Sequence, residues 1–207
     1  YELVTGDGSN DADNGLVKIV GDQLQVAGSI DFETNPTLEL YIQVTDAGGL
    51  TYTEAVTVTV NDVNDPPSIS VTPTSADFVE DLDASSQALS ANGTVIFDDV
   101  DAGDLIDITS AFNNDMTWSH GTIDSALETL LASGFSAIAT DALPGSGTTW
   151  NYNIPGADLD FLAVGETLTF SFDVIATDSQ LATATDTVTI TITGTNDAPE
   201  ITFGQSY

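Results

Sequence analysis

Residues 44–67 read VTDAGGLTYTEAVTVTVNDVNDPP, and residues 176–199 read ATDSQLATATDTVTITITGTNDAP. The two stretches align without a gap, and in each an alternation of apolar residues with threonine is followed by Asn, Asp and Pro. Alternation with a period of two is typical of half-buried antiparallel strands. Proline has no N–H to donate and therefore ends the last strand. Self-similarity on this scale predicts two tandem modules of one β architecture.

The same alternation continues in TLELYIQVTD (37–46) and ETLTFSFDVIATD (166–178). It predicts one buried face on each strand, made by Leu38, Leu40, Ile42 and Val44 in the first and by Leu168, Phe170, Phe172 and Val174 in the second.

One segment differs from this strand pattern. TIDSALETLLASGFSAIA (122–139) has apolar residues at helical spacing and Gly134 as a stop signal, which predicts a short helix of about three turns that plugs one end of the second module.

Charge restricts the function more than any other property of the composition. The sequence has 33 acidic residues and one basic residue, Lys18, for a net charge of −32. This excludes nucleic acid and anionic membrane as electrostatic partners. Two carboxylates about 4 Å apart repel by about 1 kcal/mol in water and about 4 kcal/mol at an effective dielectric of about 20, so clustered acids call for a bound cation. The absence of cysteine excludes disulfides and thiolate zinc sites.

Several phrases resemble two known repeats. The stretches similar to cadherin-repeat signatures are IDFE (30–33), VTDAGG (44–49) and DVNDPP (62–67). The stretches similar to the VCBS repeat of bacterial surface proteins are GTVIFDDVDAGD (93–104), TTWNYNI (148–154), FLAVGETLTFSFDV (161–174) and ITGTNDAP (192–199). The resemblance implies an all-β chain of two tandem immunoglobulin-like, cadherin-like β-sandwiches, the second with the inserted helix, as in large RTX-type surface adhesins. The expected domains are 1–66, which lacks its first strand, and 67–199, whose first strand is expected around SISVTPTSADFVED (68–81). A further strand is expected at 200–207, either the first strand of a following module or a donor strand.

The cadherin pattern also implies calcium at the linker. The ligands it implies are Asp31 and Glu33 from the first module, the Val63 carbonyl, Asn64 and Asp65 from the linker, and Asp99, Asp101 and Asp178 from the second module, with Asp98 and Asp104 close enough to substitute. Calcium takes six to eight oxygen ligands, which these residue types supply.

A second, half-finished calcium site is expected at the C-terminal end of the second module. Its ligands are Glu80 or Asp81, Glu166, Asn196 and Asp197, and a further module would complete it. Asp46, the counterpart of Asp178, is expected to face a preceding module. The stretch GDGSNDADNG (6–15) is open to two interpretations, a calcium loop or a flexible acidic hairpin loop.

No catalytic constellation emerges from the sequence. His120 is the single histidine, and there is no Ser–His–acid arrangement, so we expect no enzyme. No apolar run is long enough to span a membrane, and no signal peptide is visible. Trp118, Trp150 and Tyr152 are compatible with a sugar-stacking platform, although TWNY reads more simply as a strand with Trp150 inside.

The function expected from these observations is a calcium-stiffened, extracellular repeat segment of a bacterial surface adhesin or fibre. Its partners would be neighbouring modules of the same or an identical chain, and a cell-surface glycan or protein. One alternative is a carbohydrate-binding module. Another is a filament subunit, in which Ile201 and Phe203 enter the vacant first-strand position of the next subunit.

Overall fold

A computed structural model describes residues 1–196 and divides the chain into two compact units, Tyr1–Asn64 (unit 1) and Asp65–Tyr207 (unit 2). The boundary lies inside the linker phrase at 62–67. The expected all-β class is confirmed, with one short α-helix and one 3₁₀ turn, Asn14–Leu16, among the described residues. Within residues 1–196 no helix is long and apolar enough to cross a membrane. The strand expected at 200–207 lies outside the described residues.

Unit 1 is a small β unit. Its strands are β1 (Glu2–Leu3), β2 (Val17–Val20), β3 (Gln23–Val26), β4 (Thr37–Thr45) and β5 (Thr51–Thr59). Strands β1, β4 and β5 form an antiparallel sheet in that order, and β2 pairs with β3 as a separate hairpin. The predicted inner face of β4 is confirmed at Leu38 and Leu40, which are buried and form the core with Val17, whereas Ile42 and Val44 are only half-buried.

Unit 2 is a sandwich of two sheets. Its first strands are β6 (Ser68–Thr72), β7 (Ser75–Val79), β8 (Gln87–Asp98), β9 (Ile106–Phe112) and β10 (Thr117–Trp118). After the helix come β11 (Phe135–Ala137), β12 (Ala139–Ala142), β13 (Gly147–Ala157), β14 (Thr167–Thr177) and β15 (Thr183–Thr193). One sheet has the order β12-β9-β14-β15-β7, with β10 beside β14, and the other has the order β11-β13-β8-β6.

The core of unit 2 lies between these sheets. The predicted inner face of β14 is confirmed, because Leu168, Phe170, Phe172 and Val174 are all buried. Trp150 and Tyr152 on β13 are also completely buried. These two rings therefore pack inside the sandwich, and the hypothesis of a surface sugar platform built with them is wrong.

The first strand of unit 2 differs from the prediction. A single strand was expected in SISVTPTSADFVED (68–81), but the chain forms β6, breaks at Pro73 and continues as β7. Strand β6 pairs antiparallel with β8 in one sheet, whereas β7 pairs parallel with β15 in the other. Proline cannot donate to a ladder, so Pro73 marks the point where the chain changes sheets.

The helix α1 spans Ser125–Ala132 and is shorter than predicted. It begins where the Asp124 carboxylate accepts a hydrogen bond from the Ala126 N–H, an N-cap. It ends before Gly134, because the next residues form β11 and pair with β13. Its anchor is Leu131, which is completely buried and whose carbonyl accepts a hydrogen bond from the Tyr152 hydroxyl.

Candidate metal centre

The hairpin between β14 and β15 fixes the position of Asp178. Its Oδ1 accepts the N–H groups of Gln180 and Ala182, both at 2.8 Å, and its side chain is only 4% exposed. Asp46 makes the matching contacts in unit 1 with Gly48 and Leu50, so the repeat seen in the sequence is also a repeat of local structure. Asp46 differs in being exposed.

The turn between β8 and β9 carries the other carboxylates of this end of unit 2. Asp99 Oδ1 accepts the N–H of Asp101, which closes an Asx turn, and the N–H of Asp104 approaches the Asp101 carbonyl at 3.3 Å. The Ser179 hydroxyl accepts the N–H of Leu105 at 2.9 Å. This contact attaches the turn to the hairpin that carries Asp178.

Three carboxylates of the turn converge. One oxygen from each of Asp99, Asp101 and Asp104 lies within 4.8 Å of the others. Each residue also has an oxygen that is buried and accepts no hydrogen bond from any residue the structure describes: Asp99 Oδ2, Asp101 Oδ1 and Asp104 Oδ2. Leaving a buried acceptor without a partner is costly, and more so for a charged one. The donor set therefore fits a hard cation, which would satisfy all three oxygens.

The charge in this cluster shifts the titration of Asp104. Burial, followed by the negative charges of Asp178, Asp99 and Asp101, raises the pKa of Asp104 above its ordinary value, while a hydrogen bond with Gln180 opposes the shift. The dependence on Asp178 shows that the hairpin residue belongs to the same electrostatic cluster. The prediction named Asp104 only as a substitute, but it is a full member of the converging set.

Asp98, the other proposed substitute, has a different role. It is exposed, and its Oδ1 accepts the N–H of the next residue, Asp99. Asp65, from the linker phrase, does reach the cluster, because its backbone N–H donates to Asp101 Oδ2 at 2.7 Å. One linker residue and two loops of unit 2 therefore meet at the predicted carboxylates.

The predicted ligands of unit 1 form a local acidic pair. The Asp31 Oδ1 accepts the N–H of Glu33, and a hydrogen bond between the two carboxyl groups lowers the pKa of Asp31. The Glu33 backbone N–H lowers the pKa of Glu33, but burial, the bond to Asp31 and the charges of Asp62 and Asp31 raise it on balance. Val63 has an exposed side chain, and Asn64 is the last residue of unit 1. The roles of these four residues as ligands stay predictions.

The half-finished C-terminal site has one buried acid. Glu80 is 3% exposed, and its Oε2 accepts the Thr195 N–H at 2.8 Å, whereas Asp81 is exposed. Glu166 uses its carboxylate in other contacts: Oε2 accepts the Trp118 indole N–H, and Oε1 lies 3.3 Å from His120 Nδ1. Asn196 is the last residue described, and Asp197 lies outside the described range. Calcium binding by these residues stays a prediction.

The acidic loop at 6–15 is ordered by its own carboxylates. Asp11 accepts the N–H groups of Gly6 and Gly8 at 2.9 and 2.7 Å. Asp7 accepts those of Ser9 and Asn10, and these bonds lower the pKa of Asp7. Backbone N–H groups therefore satisfy the carboxylates of Asp7 and Asp11, and the loop is a network of turns.

Comparison with known proteins reveals similarity in fold alone. No family model matches the sequence, and no curated protein is similar to it. Extracellular cadherin domains 3–6 of Protocadherin Gamma B2 match at 12% identity and a TM-score of 0.49, over 92% of this chain and 39% of that chain. Human CDH23 EC21-23 matches at 14% identity and a TM-score of 0.42, over 88% of this chain and 51% of that chain. The CooA pilin subunit from enterotoxigenic Escherichia coli matches at 12% identity and a TM-score of 0.35, over 63% of this chain and 99% of that chain. This chain thus spans less than two thirds of either cadherin chain.

Proposed function

We propose that the cluster of Asp99, Asp101 and Asp104, with Asp178, binds a calcium ion. The observation that carries this proposal is the convergence of three carboxylates, each of which has a buried oxygen that accepts no hydrogen bond from the described residues. Calcium suits such a site because it accepts six to eight oxygens in flexible geometry, whereas magnesium requires a near-ideal octahedron. The carboxylates are supplied by turns rather than by rigid strands, which favours the larger ion.

The wider role proposed for the chain is that of a structural repeat segment in a bacterial cell-surface adhesin or fibre, and not that of an enzyme. The support is the internal repeat, the resemblance of its motifs to surface-protein repeats, and the net charge of −32. Calcium sites of extracellular modules have dissociation constants of about 10⁻⁴–10⁻³ M, so this one would fill only outside the cell. Asp31, Glu33, Val63, Asn64 and Asp65 are proposed from the motif pattern as further calcium ligands at the linker.

A calorimetric calcium titration of the whole chain tests the proposal. Saturable binding in the range of about 10⁻⁴–10⁻³ M is expected. At a free calcium concentration about 100 times the dissociation constant, one site adds about 2.7 kcal/mol to the free energy of unfolding. Chelation should lower the melting temperature without unfolding either unit, because each has its own core. Identical melting curves and scattering profiles in calcium and in chelator would contradict the proposal.

A second candidate function, strand-exchange assembly into a filament, is favoured by one feature of unit 1. An open, mostly apolar groove of about 520 Å³ runs beside β5, and its lining includes Ile19, Leu24, Ile42, Tyr52 and Val56. Among the described strands, β5 pairs only with β4, so its other edge is open to a further strand. Deleting residues 200–207 separates the two functions: calcium affinity should stay the same, whereas concentration-dependent growth in mass should disappear. Mass that is independent of concentration in the intact chain would exclude the filament.

A further inference from the structure

A pocket of about 450 Å³ lies between α1 and the segment before β14. Its lining residues are Trp118, Thr122, Ile123, Asp124, Leu127, Asp158 and Phe161. Trp118 pairs with Leu168 near the start of β14, whereas Asp178 follows the end of that strand. The pocket is therefore at the opposite end of unit 2 from the carboxylate cluster, and its ligand is independent of the proposed calcium site.

Two aromatic rings form a corner in this pocket. The rings of Trp118 and Phe161 meet edge to face, with centroids 4.9 Å apart and an interplanar angle of 87°. The indole N–H of Trp118 donates to Glu166 Oε2 at 3.0 Å, which fixes the orientation of the ring. A Cβ on Gly121 would lie 3.0 Å from Trp118 Cζ3, so the backbone there packs directly against the indole. The corner is thus pre-formed before any ligand arrives.

Acidic groups border the corner, and no lysine or arginine of unit 2 accompanies them. Asp124 and Asp158 line the pocket, and Glu128 lines an adjoining depression of about 300 Å³ that shares Trp118 and Ile123. The single Lys or Arg of the sequence is Lys18, which belongs to unit 1. One Asp124 oxygen caps the helix, whereas Asp158 is exposed at the rim. The pocket therefore combines aromatic rings, an apolar floor and carboxylates that no lysine or arginine of unit 2 neutralises.

We propose that this pocket binds a basic side chain, arginine or lysine, presented by a partner polypeptide. The methylene stem of such a side chain suits the apolar surface of Ile123 and Leu127, as long cationic side chains pack their stems on apolar surface. The charged head suits the faces of the aromatic corner, where cation–π attraction operates, and the carboxylate of Asp158. Charge complementarity favours this occupant over a neutral apolar side chain, because the carboxylates at the rim attract a cation and gain no ionic contact with a neutral group.

The test follows the indole N–H signal of Trp118 in an NMR titration of the whole chain in saturating calcium. The probes are two blocked tripeptides, Gly-Arg-Gly and its counterpart with citrulline, which keeps the shape of arginine without the charge. We expect saturable shifts of the Trp118 signal with the arginine peptide and about tenfold weaker binding of the citrulline peptide, because both the cation–π and the ionic contributions are lost. The Trp150 indole, buried in the core, serves as an internal reference.

Charge variants supply the matched control. Asp158→Asn should weaken binding of the arginine peptide several-fold, and higher salt should do the same. Asp77→Asn removes one charge from an exposed position on β7 and should change nothing. Equal affinity for the arginine and citrulline peptides would overturn the proposal, as would equal effects of the two variants. Shifts of the Trp118 signal by a neutral oligosaccharide, with none by the arginine peptide, would also overturn it and assign the pocket to glycans.

Discussion

The backbone N–H of Asp65 donates to Oδ2 of Asp101 at 2.7 Å. This bond places the acid of the linker phrase against a carboxylate that is 6% exposed. Hydrogen bonds between a backbone N–H and an ionised acceptor are among the stronger ones in proteins. Asp101 therefore has two separable roles: one oxygen positions the linker residue, and the other, Oδ1, accepts no hydrogen bond from the described residues and is available to a cation.

Replacing Asp101 by Asn should separate these roles. The amide oxygen can still accept the Asp65 N–H, but the negative charge is lost from the converging set. We expect calcium affinity to fall by about tenfold or more, as loss of about 1.4 kcal/mol of binding free energy would produce. Calorimetric titration provides the measurement, with Asp77→Asn as the control for loss of one distant charge. Unchanged affinity in the Asp101 variant would remove Asp101 from the site.

Asp65→Ala and Asp11→Ala should affect different properties of the protein. Asp65 belongs to the proposed calcium constellation, so its loss should weaken calcium binding. Asp11 accepts two backbone N–H groups in the loop at 6–15, so its loss should leave calcium affinity intact and destabilise unit 1. Loss of such side-chain acceptors costs about 1 kcal/mol each. Calorimetry measures the affinities and thermal unfolding the stabilities; equal, unchanged affinities would refute the assignment of Asp65.

The raised pKa of Asp104 predicts an unusual pH dependence in metal-free protein. An acid whose pKa in the folded state exceeds its ordinary value of 3.8 stabilises the fold at low pH, and this contribution is lost as the pH rises through the folded pKa. Metal-free Asp104→Asn, which cannot ionise, should therefore gain stability relative to the wild type as the pH rises above 3.8. Denaturant unfolding of both proteins at several pH values measures the difference. In saturating calcium the order should reverse, because the variant lacks one ligand; the same order in both conditions would argue against Asp104 as a ligand.

Gly93→Ala should destabilise unit 2 strongly. A Cβ at this position would overlap Trp150 Nε1 and lie 2.5 Å from the Thr72 carbonyl oxygen, and neither the buried ring nor the backbone can move freely. Overpacking of this kind costs about 1–3 kcal/mol, and occasionally more. Chemical denaturation measures the loss, and Ser90→Ala, an exposed position on the same strand, is the control. A loss no larger than that of the control would show that β8 shifts to accommodate the methyl group.

Local periodicity was sufficient to predict β4, β5, β14 and β15. The buried residues of β14 follow the alternation in the sequence because each contributes to a face covered by the opposite sheet. The split of the first strand was missed, although Pro73 is a local signal for it. The helix was predicted too long at its start, because Ile123 continues the apolar spacing of Leu127 and Leu130, whereas the helix begins after its N-cap, Asp124.

The candidate site could be predicted only in part. The repeat identified Asp178 by its match to Asp46, and both residues have the same hairpin bonds. The preference for Asp104 over Asp98 depends on how the turn folds back at Asp101, which sequence spacing does not specify. The contact of Trp118 with Glu166 joins residues far apart in sequence, and nothing local in the sequence indicates it.

The parallel pairing of β7 with β15 has a mechanical consequence. These two strands are neighbours in one sheet, with Ser75 opposite Thr189 and Val79 opposite Thr193. Once β6 has separated from β8, tension along the chain pulls β7 from its N-terminal end and β15 from its C-terminal end, in opposite directions. Because the strands run parallel, that force slides one past the other and loads all the ladder bonds between them together. An antiparallel pair pulled from one end would open bond by bond, so this arrangement suits unit 2 to bear load.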